Sequence, residues 1–154
     1  MKKVFKIPYF GIKELVSPVV YKQWGEQAWM FFQPDVLQDL LTIRESWNSP
    51  IIINNWGSGG NLRQCGLRSN LDDLVLDKSR KDQLYLSFHT MGKAFDLHDK
   101  LGRNQKLWEH CRQLNSNGKL KSLRRLEDYK KTNGWVHIDS ANSDIKIFKI
   151  IYNR

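Results

Sequence analysis

A His and an Asp stand seven positions apart in Ser87-Phe88-His89-Thr90-Met91-Gly92-Lys93-Ala94-Phe95-Asp96, and a second His follows in Trp135-Val136-His137-Ile138-Asp139. Two imidazoles and one carboxylate are a frequent ligand set for a catalytic zinc, whose fourth position stays open to water. The chemistry such a set supports is metal-dependent hydrolysis. A lone buried His is as readily a hydrogen-bonded core residue, so the pattern by itself leaves both readings open. Of the other histidines, His98 falls two residues past Asp96 on the same strand face, as a supporting group or simply the strand's end. His110 lies among charged residues of a predicted helix and is expected to be exposed.

Bringing these side chains together requires particular elements. If residues 87–89 and 94–97 are extended on either side of a turn at Gly92, His89 and Asp96 converge, and the small Ala94 leaves room beside them. Trp135, His137 and Asp139 alternate with Val136 and Ile138, which puts the first three on one strand face. Setting that strand beside Asp96 completes a three-ligand site.

Around this frame, Pro34 and Asp35 open the clearest predicted helix, 34–47, with Val36, Leu37, Leu40 and Leu41 inward. Shorter helices are expected over 11–15, stopped by Ser17-Pro18, and over 21–24. Another covers 104–115, with Leu107, Cys111 and Leu114 inward and Asn117-Gly118 closing it. Strands are expected at 51–53, 84–88, 94–97, 122–126, 135–138 and 145–152, with Asn133-Gly134 as a hairpin turn. Residues 56–60 read as a flexible glycine loop. It lacks the Lys-Ser/Thr ending of a phosphate loop. Residues 70–83 read as a polar surface excursion. The expected fold class is α+β: a single domain over 1–154, with helices early and in the middle and an antiparallel sheet collecting the later strands.

Composition sets limits on partners. The net charge of +9 favours polyanions, among them nucleic acid, anionic lipid or an acidic cell wall. The basic residues are dispersed apart from Lys119-Leu120-Lys121-Ser122-Leu123-Arg124-Arg125, which reads as a solvated face. No nucleic-acid motif accompanies them, so no specific nucleic-acid partner is expected. No membrane insertion is expected either, since no apolar run is long enough. The amino terminus does not read as a signal peptide, so synthesis in a cytoplasm is expected, with release needed for any action outside it. Cys65 and Cys111 form no CxxC pair and are expected to be reduced thiols.

The pattern Ser-x-His-x-x-Gly-x-Ala-x-Asp followed by Trp-x-His-x-Asp resembles the zinc D-Ala-D-Ala carboxypeptidases and L-alanyl-D-glutamate endopeptidases, most closely their small single-domain phage branch. The likeness extends over most of the chain. It includes residues 10–18, the 34–47 helix, Pro50-Ile51-Ile52-Ile53-Asn54-Asn55-Trp56, Gly59-Gly60 and Gly66-Leu67-Arg68-Ser69. The resemblance implies a hedgehog/D-Ala-D-Ala peptidase-like domain in which His89, Asp96 and His137 bind Zn²⁺. It implies hydrolysis of amide bonds in peptidoglycan stem peptides, as a carboxypeptidase or endopeptidase serving phage cell-wall lysis.

In the same family many members carry the catalytic acid three residues before the last His ligand. Here that position is Gly134. Glu127, Asp128 and Asp139 are the nearest carboxylates, and Glu127 takes the role in this reading, carried back toward His137 by a hairpin through 128–134. Asp139 is expected to orient a ligand, and Asp128 to serve a turn. Arg68 resembles an arginine near the substrate, suited to a developing oxyanion or a substrate carboxylate; a surface salt bridge is its other reading. Ser87 is expected to support the zinc loop and Gly92 its turn. The alternative reading of the whole is a catalytically degenerate zinc-containing module that binds cell wall without cutting it.

Overall fold

The computed structural model describes residues 4–80 and 84–142, and the backbone of 147–148. Its amino-terminal part is helical. Helix α1 (Ile12–Leu15) is capped at its start by the Glu14 side chain, which accepts the Gly11 N–H at 2.8 Å. Ser17-Pro18 does more than stop it. Ser17 caps α2 (Pro18–Trp24) by accepting the Val20 N–H, and Pro18 takes the first helical turn, where its missing donor costs nothing. A 3-10 segment (Gly25–Phe31) leads to α3 (Pro34–Ser46).

Helix α3 buries Val36, Leu37, Leu40 and Ile43, while Leu41 packs partly buried against them. It also buries Asp39, whose carboxylate accepts backbone N–H groups from Lys121, Ser122 and Leu123. That contact fixes where the chain enters its later strands.

The sheet has the order β1-β2-β4-β3-β5, from β1 (Ile51–Ile52), β2 (Ala94–Asp99), β3 (Arg125–Glu127), β4 (Val136–Asp139) and β5 (Ile147–Phe148). The first four strands in this order pair antiparallel. Strand β5 joins parallel to β3, a departure from a purely antiparallel arrangement, and the rest of the expected 145–152 strand lies outside the described residues. Phe95, Leu97, Leu126, Val136 and Ile138 form one face of the sheet and are fully buried in the core. Between β2 and β3, α5 (Asn104–Ser116) adds Leu107 and Cys111 to that core, with Leu114 partly buried.

Four local expectations change, the first being that β3 starts at Arg125 and not at Ser122, because Asp39 takes the N–H groups of Lys121, Ser122 and Leu123. Residues 73–79 of the polar excursion form helix α4 (Asp73–Ser79), anchored by the buried Asp72, which accepts from Ser17 Oγ, Ser69 N–H and Ser69 Oγ. Residues 84–88 form no strand: Leu84 is 87% and Leu86 70% exposed, and Phe88 opens a 3-10 turn (Phe88–Met91). The 56–60 segment is a closed 3-10 turn around Asn55, which accepts the Leu62 N–H on its side chain and the Gly60 N–H on its backbone. Cys65 and Cys111 are both free thiols.

Candidate metal centre

The polar face of the sheet carries the site. Asp96 on β2 pairs directly with His137 on β4, and directly paired residues project to the same face. The pairing of Arg125 with Asp139 and Leu126 with Ile138 continues, one step on, to Glu127 opposite His137. Asp96, His137 and Glu127 therefore form a row across three strands. The alternation expected at 135–139 holds over the strand itself, 136–139, with Val136 and Ile138 turned into the core.

His89 arrives from the 3-10 turn rather than from an extended segment. Ser87 caps this turn by accepting the His89 N–H, and Gly92 ends it at φ +67°. A Cβ at Gly92 would also stand 2.7 Å from the Phe31 carbonyl oxygen, so the turn needs glycine twice over. The segment before it is pinned from the amino-terminal half. Leu67 donates to the Leu15 carbonyl at 2.8 Å, and a Cβ at Gly66 would come within 2.0 Å of the same oxygen. This close approach aims the Gly66 carbonyl at His89.

Among the described residues, one group of three could hold a metal ion: His89, Asp96 and His137, with their donor atoms within 4.8 Å of one another. His89 Nε2 is 3.4 Å from Asp96 Oδ1 and 3.3 Å from His137 Nδ1, and His137 Nδ1 is 2.8 Å from Asp96 Oδ1. Donors about 2.1 Å from a tetrahedral ion stand about 3.4 Å apart. Two of the three edges already have that length, and the third is a hydrogen bond that a cation would replace.

The outer atom of each ligand is occupied. His89 Nδ1 donates to the Gly66 carbonyl at 2.9 Å, which leaves Nε2 without a proton and facing the cluster. His137 Nε2 donates to Asp139 Oδ2 at 3.1 Å. Asp139 is gripped in turn by Arg125, through Nε and Nη2, each at 2.8 Å. Asp96 Oδ2 accepts from Arg68 Nη2 at 3.2 Å. Imidazole and carboxylate ligands fixed by outer hydrogen bonds are the usual build of a protein metal site, so the residues present fit a metal ion.

The electrostatics describe the metal-free state. Burial works against a charge on His137, but its bonds to Asp139 and Asp96 prevail and raise its pKa to about 9. A proton on Nδ1 thus sits where the three donors meet. Burial lowers the pKa of His89, outweighing the nearby Asp96. Burial would raise Asp96, yet His89 and His137 hold its carboxyl well below the usual range. Asp139 is likewise lowered against its burial, by His137 and Arg125. Glu127 goes the other way: burial raises it, helped by Asp96 and Asp139 against His137 and Arg125.

No family model, curated protein or solved structure matches the chain. The site must therefore be read from its own groups. Arg68 is buried, not part of a surface salt bridge; its guanidinium bonds Asp96, the Gln64 carbonyl and, at 3.4 Å, the Tyr85 hydroxyl. Asp128 caps a 3-10 turn (Tyr129–Lys131) through the Lys130 N–H. Gly134 has φ +94° and no side chain to offer. His98 lies 3.9 Å from Cys65 Sγ, outside the cluster. His110 is half-buried rather than exposed, bonded to Ser46 Oγ at 2.8 Å and tilted against Trp47.

Two supporting contacts had no assignment from the sequence: the Gly66 carbonyl behind His89 and Arg125 behind Asp139. The first carries no side-chain signal. The second was visible in kind, since Arg125 and Asp139 stand symmetrically about the turn that pairs β3 with β4.

Proposed function

We propose that this protein is a zinc-dependent peptidase that hydrolyses amide bonds in peptidoglycan stem peptides. The observation that carries this reading is the convergence of His89, Asp96 and His137, with Glu127 in register beside His137. Two imidazoles and one carboxylate favour zinc over calcium or magnesium, which take oxygen ligands. Bound zinc supplies Lewis acidity, acidifying a water and polarising a carbonyl.

The chain's own residues supply the rest. Arg68 holds Asp96 by Oδ2, leaving Oδ1 turned toward both histidines. Asp139, braced by Arg125, keeps the proton of His137 on Nε2. The Glu127 carboxylate is the general base. It takes a proton from water and returns it to the leaving amine, a role suited to a carboxyl whose pKa burial has raised. The substrate class rests on the resemblance of the His–Asp and Trp-x-His-x-Asp motifs, and the basic surface is consistent with an acidic wall polymer.

Digestion of purified peptidoglycan with and without a zinc chelator, read by mass spectrometry, tests this. Chelator-sensitive new termini are expected, and their identity names the bond. Intact peptidoglycan in the presence of zinc-loaded protein would reject the peptidase and leave a module that binds wall without cutting it.

A further inference from the structure

A cavity of about 710 Å³ opens along the edge strand β1 and helix α1, and it shares no lining residue with the His89–Asp96–His137 cluster. Its volume falls in the range of pockets that take small organic ligands. Three cations line it: Lys13, Arg44 and Lys100. None of them has a carboxylate partner among the described residues. The two acids at the cavity are engaged elsewhere, Glu14 with the Gly11 N–H and Glu26 with Lys6.

Two of the cations are held in place by their surroundings. The Lys13 stem lies against Gly57, where an added Cβ would meet it at 3.1 Å. Its ammonium sits 4.9 Å from the centre of the Tyr21 ring. The Arg44 guanidinium stands 4.9 Å from the Tyr9 ring. Tyr9 itself has φ +71°, the one non-glycine with positive φ among the described residues, while its side chain stays largely exposed. Left-handed backbone is unfavourable for an aromatic residue and persists where the surroundings hold it, a pattern that gathers at ligand sites.

We propose that this cavity binds an anionic saccharide or polyol unit. Its phosphate or carboxylate is met by Lys13, Arg44 and Lys100, and a carbon face rests on the exposed side of Tyr9. A nucleic-acid backbone asks for a continuous basic track, whereas these cations share one concavity. The anion preference rests on the cavity alone; placing the saccharide in a cell wall rests on the peptidase reading.

Amide shifts of the isotopically labelled full chain, titrated with three probes, test the proposal. The probes are a glycerol phosphate oligomer, a galacturonate oligomer and a neutral chito-oligosaccharide. Saturable shifts at residues 11–14, 44 and 51–58 are expected with one or both anionic probes and not with the neutral one. A response to only one anionic probe identifies phosphate or carboxylate as the group bound. Lys13→Ala with Arg44→Ala should weaken binding at least tenfold with thermal melting and zinc content unchanged, and Lys100→Ala alone should weaken it less. Diffuse non-saturating shifts, equal binding of the neutral probe, or full affinity in both variants would overturn the proposal. Tighter competition by a thymidine oligonucleotide at the same amides would overturn it in favour of nucleic acid. Because binding is read without turnover, saturable anion binding by a protein that cuts no stem peptide would sink the peptidase and leave this cavity standing.

Discussion

Asp139 stands two residues beyond His137 on the same strand, and its Oδ2 lies 3.1 Å from the His137 Nε2. Strand alternation returns both side chains to one face, and Arg125 clamps the carboxylate from the neighbouring strand. The imidazole is thereby oriented before any ion arrives. Asp139→Asn should keep the three ligands yet weaken zinc affinity roughly 10- to 100-fold, as loss of an outer partner usually does. Competition with a coloured chelator measures this, and an unchanged affinity would remove Asp139 from the site.

His89→Ala and His137→Ala should each abolish stoichiometric zinc and hydrolysis together. Metal content by elemental analysis, beside peptidoglycan turnover, is the readout. Turnover that persists without metal would sink the zinc mechanism.

Glu127→Gln preserves shape and removes the base. Zinc content should stay at the wild-type level while turnover falls by about 10²–10⁴-fold. Normal turnover would transfer the role to Asp139 or Asp128.

The proton on His137 makes two opposite pH trends. Its pKa is raised from 6.5 to about 9 in the metal-free fold, so its stabilisation is complete below about pH 6.5 and is lost as pH rises through 9. Metal-free protein should therefore melt at progressively lower temperature from about pH 7.5 to 8.5, above the range where His89, His98 and His110, lowered by burial, act in the opposite sense. The buried Cys65 and Cys111 thiols, pushed from 9.0 up to about 12, add a loss of the same sign as pH passes 9, so the scan stops at 8.5. Zinc must displace the same proton, so affinity should rise up to about tenfold per pH unit over the same window. Melting scans and chelator competition at matched pH check both trends; parallel slopes would contradict the shared proton.

Gly66→Ala should behave as a site variant although no Gly66 atom is a ligand. The added methyl meets the Leu15 carbonyl oxygen at 2.0 Å, a clash that backbone must absorb. A destabilisation of about 1–3 kcal/mol is expected, with weakened zinc binding as His89 loses its acceptor. Wild-type melting and affinity would show that the segment moves freely.

Much of this arrangement is legible because it follows short periods. The alternation of His137 and Asp139 against Val136 and Ile138 sets which side chains face the site, and the strand-turn-strand spacing brings Glu127 level with His137. Helix α3 announces itself through Pro34, Asp35 and its apolar spacing. Other features depend on contacts with no local period. Leu84, Leu86 and Phe88 alternate like a strand, but no neighbouring strand pairs with them among the described residues. Asp39 looks like a solvated helical acid until Lys121, Ser122 and Leu123 present their N–H groups to it. Arg68 reads equally as a substrate-facing or a surface residue, and only the placement of Asp96 reveals what its guanidinium holds.

The contact between Leu15 and Gly66 also bears on how this chain can be divided. His89 takes its bearing from a carbonyl that the first helix holds in place, so the stretch that carries the ligands does not by itself orient them. A piece carrying all three ligands but lacking residues 4–20 would lose the brace behind one imidazole. The state of the His89 imidazole thus reports on whether the amino-terminal helix has docked.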